Sequence, residues 1–341
     1  QTLLQARRND GSLPCLEIED APRIPRRGIM LDLGRQSERF DYLKQLARRL
    51  SRFKINTLML YVEGKVHYDR HPGIDHPQAY TPARLRELAA FARRYYVDLV
   101  PAVASLGHAE NYLRYPAYAK LGENGSVYQL NPEHPGTKKL LQDMYEQWFE
   151  ITDSDLFNIC CDESLHLGED PANRDLCRRI GPDGIFARHV NQLSQLVRQN
   201  GRTPMMFADM LMEYPGLTTK IDRDTVMLDW WYGDARTQRR DTPPKIRAAG
   251  YPLALMPAAT RSGELCVPAA FHVQHNIPPF LQQNAHLEPV AAITSLWEMF
   301  TGFVETTWPG LLSGAEYAWS VDRVPPASFP RRMTTHAVPL P

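Results

Sequence analysis

Five cysteines in 341 residues, an odd number with no zinc-like or redox spacing, exclude a disulfide framework. Cys160-Cys161 lies inside an apolar run, where cysteine is a small core residue, and Cys15, Cys177 and Cys266 read as structural. Neither sign of charge is in excess. Lys plus Arg number 39 and Asp plus Glu number 39, which leaves no electrostatic footprint for nucleic acid or an anionic membrane. Arginine pairs at 7–8, 48–49, 93–94, 178–179 and 239–240 are scattered and read as solvated helix faces. No apolar stretch is long enough to span a bilayer. No signal peptide is visible in the opening "QTLLQARRNDG", so the compartment is open, with the cytoplasm favoured. His67, His71 and His76 form a loose loop cluster that matches no helical ligand motif, and no metal or cofactor is expected. Internal repeats and low-complexity segments are lacking too.

What is present is an ordinary globular balance, 43% hydrophobic and 23% charged, in a length that suits one large barrel or two smaller domains. Short apolar runs alternate with amphipathic segments. The runs are 27–33, 55–62, 98–105, 155–163, 203–209, 224–232, 251–257 and 290–297. Helical patterns fall at 37–53, 81–96, 134–151, 184–201, 242–250, near 268–285, and at 308–320. Continuously apolar strands are what a parallel sheet buried on both faces requires. Eight such units predict an α/β protein with a (β/α)8 TIM barrel over residues 23–323; an open doubly wound sheet is the structural alternative. The Pro-rich stretch 324–341 is expected to be irregular.

Chemistry on such a barrel sits where the strands exit. The expected exits are unusually polar and aromatic. They carry Asp32 to Arg35, Glu63, His108 and Glu110, Asp162-Glu163, Asp209, Asp229-Trp230-Trp231-Tyr232 and Trp297-Glu298. A polar floor with aromatic walls suits a sugar, whose C–H faces lie on rings and whose hydroxyls meet carboxylates and arginines. Plainer readings stand beside these: Arg35 as a surface residue at a helix start, His108 as a satisfied loop histidine, Trp308 and Trp319 as packing. Because strand neighbours alternate faces, Trp230 is expected in the core and Trp231 toward the site. The oddest stretch is "LFNICCDESLHLG" (156–168), an apolar strand that ends on two adjacent acids. An unpartnered buried charge is costly, so the pair demands a purpose.

Several stretches resemble glycoside hydrolase family 20, the β-N-acetylhexosaminidases, and within it the compact branch that includes hexosaminidase D. They are "IEDAPRIPRRGIMLDLGR" at the barrel entry, "LGHAENYLRYPAYAKL" and "LNPEHPGTKKLL" after the third strand, "NICCDESLHLG" at the fourth and "RTPMMFADML" at the fifth. The resemblance covers roughly 16–320. It implies a retaining exo-hydrolase of terminal β-GlcNAc or GalNAc that uses the substrate's acetamide as nucleophile. Glu163 would be the general acid/base, and Asp162 would orient the acetamide. Arg35 and Glu63 would hold hydroxyls, and His108 would support the acid. Asp209 would also serve substrate binding. Trp231, Tyr232 and Trp297 would wall the pocket, with Tyr232 on the acetamide oxygen, and Glu298 would bind the sugar rim. An ionised Asp162 would then raise the pKa of Glu163 and keep it protonated.

The chain departs from the pattern in two places. It has Phe207-Ala208-Asp209 where many relatives have Trp-Asp-Asp, and Glu63-Gly64 where the branch often has an acidic pair. Residues 1–22 would be a linker or the remnant of a preceding small α/β domain, packed along the barrel's outside; with no initiator Met, a catalytic-domain fragment or a short-form enzyme is expected. The partners implied are N-acetylhexosamine-containing glycans, with no nucleic acid and no membrane. The altered fifth strand leaves two other readings, a catalytically silent sugar-binding barrel and a relative acting on modified sugars or within chains.

Overall fold

The computed structural model describes residues 2, 6, 10–74, 76–233, 240–260, 269–297 and 304–321. The expected irregular stretch 324–341, Glu298 and Cys266 lie outside the described residues. Eight parallel strands close into a barrel in sequence order: β1 (Arg26–Asp32), β2 (Thr57–Tyr61), β3 (Asp98–Ala102), β4 (Leu156–Asn158), β5 (Thr203–Phe207), β6 (Val226–Trp231), β7 (Leu253–Thr260) and β8 (Ala291–Leu296). Met30 of β1 pairs with Met59 on one side and Ser295 on the other, which closes the ring. The principal helices are α1 (Phe40–Arg52), α2 (Pro82–Arg93), α3 (Pro135–Ile151), α4 (Arg174–Gln199), α5 (Thr242–Ala248), α6 (Ala269–Asn284) and α7 (Trp308–Trp319). Between β5 and β6 the helix shrinks to Met210–Glu213. The (β/α)8 architecture is thus the one the strand pattern predicts.

The core has two parts because each strand alternates its faces. Met30, Met59, Val100, Phe207, Leu228, Met256 and Ile293 fill the barrel's interior. Ile29, Leu31, Leu58 and Leu60 point outward and meet the helices. On α1 the buried residues are Leu43, Leu46, Ala47 and Leu50, the stripe expected of an amphipathic helix on a sheet. Helix α2 opens with Thr81 accepting the Arg84 N–H at 3.3 Å and Pro82 at the first turn, where a missing N–H costs nothing. No helix among the described residues is long and apolar enough to cross a membrane.

Trp308 and Trp319 pack on the outside, with the Arg49 guanidinium 4.3 Å from the Trp308 ring centroid and the Lys54 amine 4.0 Å from that of Trp319. The Trp319 indole also donates to Asp20, which ties the segment ahead of β1 to the barrel's flank. His67, His71 and His76 take separate partners. His71 meets Tyr118 and Asp143, His67 lies 3.5 Å from Asp69, and His76 accepts the Gln78 N–H.

Two departures from the predicted elements matter for the site. First, β4 was expected to run to residue 163 but ends at Asn158. Cys160, Cys161 and Glu163 adopt positive φ of 57°, 65° and 49°, a conformation that costs a non-glycine residue about 1–3 kcal/mol and cannot continue a strand. Second, α4 begins ten residues earlier than the pattern shows and kinks at Gly181, whose φ is 78°. It carries the buried His189, whose Nε2–H donates to the Ser105 carbonyl at 2.9 Å. Burial lowers the imidazole to about 4, so it is neutral and anchors the loop that leads to His108.

Candidate active site

Where the strands exit, a cavity of about 280 Å³ opens, lined by Arg35, Tyr61, His108, Asp162, Glu163, Trp230, Tyr232 and Trp297. A larger hollow of about 490 Å³ lies at the opposite end of the barrel, where its Arg26 is already paired with Asp98 and Asp155. Of the residues expected at the site, Arg35, His108, Asp162, Glu163, Tyr232 and Trp297 meet in the exit cavity. Glu63 and Asp209 are not among its lining residues, and Trp231 turns away from it.

The left-handed turn after β4 is what brings two sequence neighbours into one cavity. His108 Nε2 lies 3.4 Å from Asp162 Oδ2 and 3.2 Å from Glu163 Oε2, so one ring nitrogen faces both acids. The Ser164 hydroxyl accepts the Gly107 N–H and donates to the Asp162 carbonyl, each at 3.0 Å. A Cβ at Gly107 would sit 2.6 Å from that carbonyl, so only glycine lets the β3 and β4 loops approach this closely. Asp209 Oδ2 accepts the Glu163 N–H at 2.8 Å. Asp209 therefore holds the backbone of Glu163 from behind, a correction to its expected place among the sugar contacts. Its other oxygen is buried with no hydrogen-bond partner among the described residues. Burial first, and then Asp162, push its pKa up.

Burial works against charge on His108, but the hydrogen bonds to Asp162 and Glu163 outweigh it and raise the imidazole to about 10. The reciprocal effect falls on Glu163, whose pKa is lowered chiefly by its bond to His108. This corrects the expectation that Asp162 keeps Glu163 protonated. The imidazolium–carboxylate form is the favoured one, because a half-exposed carboxylate beside a cation favours its charged form.

Arg35 donates through Nη1 to the fully buried Asp32 at 3.0 Å, and its backbone N–H meets the same carboxylate at 3.2 Å. Burial disfavours the guanidinium charge, yet Asp32, Tyr61 and Glu63 outweigh it and raise the pKa. Glu63 sits against this pair and accepts from the Asn111 amide. Burial pushes its carboxyl up to about 7, against the pull of Arg35. A Cβ at Gly34 would lie 2.7 Å from the Glu63 carboxyl carbon, so glycine there makes room for the acid.

The aromatic wall is built from strand ends. Trp297 crosses Tyr61 edge-on at 5.5 Å and lies 6.3 Å from Phe207, and its indole donates to the Tyr232 hydroxyl. Trp230 stacks on Tyr232 at 5.2 Å and 23°. Burial raises the Tyr232 pKa, so the phenol is neutral. The phase of β6 is therefore opposite to the expected one. Val226, Leu228 and Trp230 face inward, while Met227 and Trp231 pack outside, where the Arg240 guanidinium lies 4.6 Å from the Trp231 ring centroid. Arg240 also grips the buried Asp229 through Nε and Nη2, both at 2.9 Å, and so fixes the outer face of the strand whose inner face carries Trp230.

Tyr61 was missed as a site residue. It ends an apolar run in the same parity as the inward Met59, and that parity could have found it. Asn111 and Tyr128 were missed as well. Tyr128 stacks edge-on to His108 at 5.1 Å and touches the Glu163 carbonyl, contacts that no local pattern announces.

The model of glycosyl hydrolase family 20, catalytic domain, matches residues 60–259. A β-N-acetylhexosaminidase from Cellulomonas fimi is 25% identical over 249 residues, 65% of this chain and 46% of that protein. Hexosaminidase D from Homo sapiens is 28% identical over 194 residues, 55% of this chain and 40% of its own. The chain thus spans less than half the length of these two curated relatives. The solved structure of a β-N-acetylhexosaminidase from Bacteroides fragilis NCTC 9343 shares the fold, with a TM-score of 0.80 at 19% identity over 98% of this chain and 75% of that one. With a family model matched across more than half its length, the chain belongs to glycosyl hydrolase family 20.

Proposed function

We propose that this chain is a retaining exo-β-N-acetylhexosaminidase that removes terminal β-GlcNAc or β-GalNAc by substrate-assisted catalysis. One observation carries the proposal: the two carboxylates among the described lining residues sit side by side on one histidine nitrogen, at 3.4 and 3.2 Å. An ordinary retaining glycosidase sets its two carboxyls across the glycosidic bond, one of them as nucleophile. Here no carboxylate among the described lining residues stands opposite the acid, and the missing nucleophile is supplied by the sugar's acetamide oxygen.

In this mechanism the acetamide oxygen attacks C1 while the C1–O bond to the leaving group breaks and Glu163 gives that oxygen its proton. Asp162 accepts the N–H of the oxazolinium that forms, and Tyr232 holds the acetamide oxygen before attack. Glu163 then takes a proton from water as it attacks C1, which reopens the ring with retained configuration. Arg35, with Glu63 behind it, holds hydroxyls of the terminal sugar. Trp230 and Trp297 cover its C–H faces. The size of the cavity, about 280 Å³ above a filled barrel interior, favours removal of single terminal sugars.

The acid must carry a proton, and His108, held as an imidazolium by the two acids, is the group that keeps one beside it. A sugar that expels water from the cavity disfavours an ion pair, so the proton passes from Nε2 to Glu163 Oε2, 3.2 Å apart, and both groups become neutral. The pair then titrates as one unit, and the form with a single proton is the active one. It is lost on the alkaline side only as the imidazolium, at about 10, gives up its proton. His108→Gln leaves Glu163 to titrate alone in the ordinary carboxyl range. The alkaline limb of the kcat/KM profile should then fall by several pH units; an unmoved limb would show that His108 does not hold the proton. The activity itself is checked by following an aryl β-N-acetylglucosaminide by NMR. The β-anomer of free GlcNAc should form first, whereas the α-anomer would point to an inverting enzyme.

A further inference from the structure

We infer that Asp209 is the positioning residue of the proposed acid: its carboxyl oxygen keeps Glu163 aimed at the leaving group. The inference rests on the hydrolase reading above and deepens it. Asp209 stands where a helix begins. It directly precedes Met210–Glu213, and its carbonyl accepts the Met212 N–H at 2.8 Å. An aspartate in such a place ordinarily turns its side chain onto the free N–H groups of the first turn. The Asp209 side chain makes no capping bond, and its Oδ2 instead accepts the Glu163 N–H at 2.8 Å.

This arrangement is costly, because Oδ1 is left buried without a hydrogen-bond partner among the described residues. It is not needed to join the two strands. β4 and β5 already pair from Leu156–Thr203 to Asn158–Met205, and two backbone bonds carry the pairing into the turn: Ile159 N–H to the Met205 carbonyl at 2.8 Å, and Phe207 N–H to the Cys160 carbonyl at 3.1 Å. What Asp209 adds lies beyond them, at Glu163. That residue has a φ of 49°, a conformation that persists only where the surroundings impose it. Among the described residues Asp209 is the one acceptor of its N–H. The Glu163 side chain is half exposed and leans on His108 at 3.2 Å, so the direction of its carboxyl depends on the backbone that carries it. The peptide between the two acids is thus held at both ends. The Ser164 hydroxyl donates to the Asp162 carbonyl at 3.0 Å, and Asp209 takes the Glu163 N–H. Losing Asp209 frees the Glu163 end while the Ser164 bond stays.

The test compares methyl and nitrophenyl β-GlcNAc by kcat/KM, which reads the steps up to departure of the leaving group. Asp209→Ala should slow the methyl glycoside by about 10²-fold, the scale set by a small misplacement of a reacting group. The nitrophenyl glycoside should lose little, because its leaving group needs little protonation. Asp209→Leu should show the same split, and it fills the space that Ala vacates, so one variant that fails to fold leaves the other. Asp209→Asn should recover most of the loss below neutral pH. Its amide oxygen can accept the same N–H, and burial already pushes the wild-type carboxyl toward its neutral form. In the Glu163→Gln background Asp209→Ala should slow the methyl glycoside no further, because the acid it positions is gone. Equal losses for the two glycosides, no loss, an Asn variant as slow as Ala, or losses that add to those of Glu163→Gln would each overturn the inference. If the wild type cleaves neither glycoside, the hydrolase reading fails and the positioning role falls with it. Wild-type turnover with an unselective loss removes the positioning role alone.

Discussion

Glu163→Gln is expected to slow cleavage of an alkyl β-N-acetylglucosaminide by about 10²–10⁴-fold, the usual worth of a positioned acid or base. Gln keeps the size of the side chain that lines the cavity but has no proton to give. The loss should depend on the leaving group. A nitrophenolate needs little protonation, so the step that forms the oxazolinium should be nearly restored for such a substrate. A plot of log kcat/KM against leaving-group pKa should accordingly be steep for the variant and shallow for the wild type. Parallel slopes would mean that some other group donates the proton. The same variant removes the carboxylate that faces His108 at 3.2 Å, so the imidazolium should lose part of its support and its pKa should fall.

Asp162→Asn should behave differently. The side chain is buried, 3.4 Å from His108 Nε2, and Asn preserves its shape. What is lost is the charge opposite the acetamide N–H, where positive charge grows as the ring closes. Removing one such stabilising group costs on the order of 10²–10³ in kcat. Because that charge develops whatever departs from C1, the loss should be the same for alkyl and nitrophenyl substrates. A cyclic thiazoline mimic of the oxazolinium should bind Asp162→Asn more weakly by a similar factor. Unchanged thiazoline affinity would place Asp162 outside the ring-closing step.

How much of this was legible in sequence differs from residue to residue. The barrel was, since β1, β2 and β7 carry continuously apolar stretches at 28–31, 58–60 and 253–259 with amphipathic helices between the strands, a pattern that both-face burial imposes. That Asp162 and Glu163 reach the exit cavity was legible, because two charges at the end of an apolar run have no cheap structural role. The phase of β6 was not. Its two faces are equally apolar in Val226, Met227 and Leu228, and what decides them is Arg240, which binds Asp229 from eleven residues away on the outer face. The place of Asp209 was hidden for a similar reason. Its partner is the backbone of Glu163, 46 residues earlier, brought near only by the left-handed turn through Cys160 and Cys161. The charge on Glu163 does not follow from its neighbour Asp162, because the β3 loop lays the His108 ring against both acids at 3.4 and 3.2 Å, distances that sequence does not give.

The measurement closest to the central claim sets two substrates side by side, the 4-nitrophenyl β-glycosides of GlcNAc and of glucose. They share the leaving group and differ at C2, where one carries the acetamide and the other a hydroxyl. With Asp162 and Glu163 sharing one histidine and no other carboxylate among the described lining residues, the proposed mechanism takes its nucleophile from the sugar. The GlcNAc substrate should be hydrolysed and the glucoside should be nearly inert. Efficient hydrolysis of the glucoside would contradict the account, because that sugar has no nucleophile to lend.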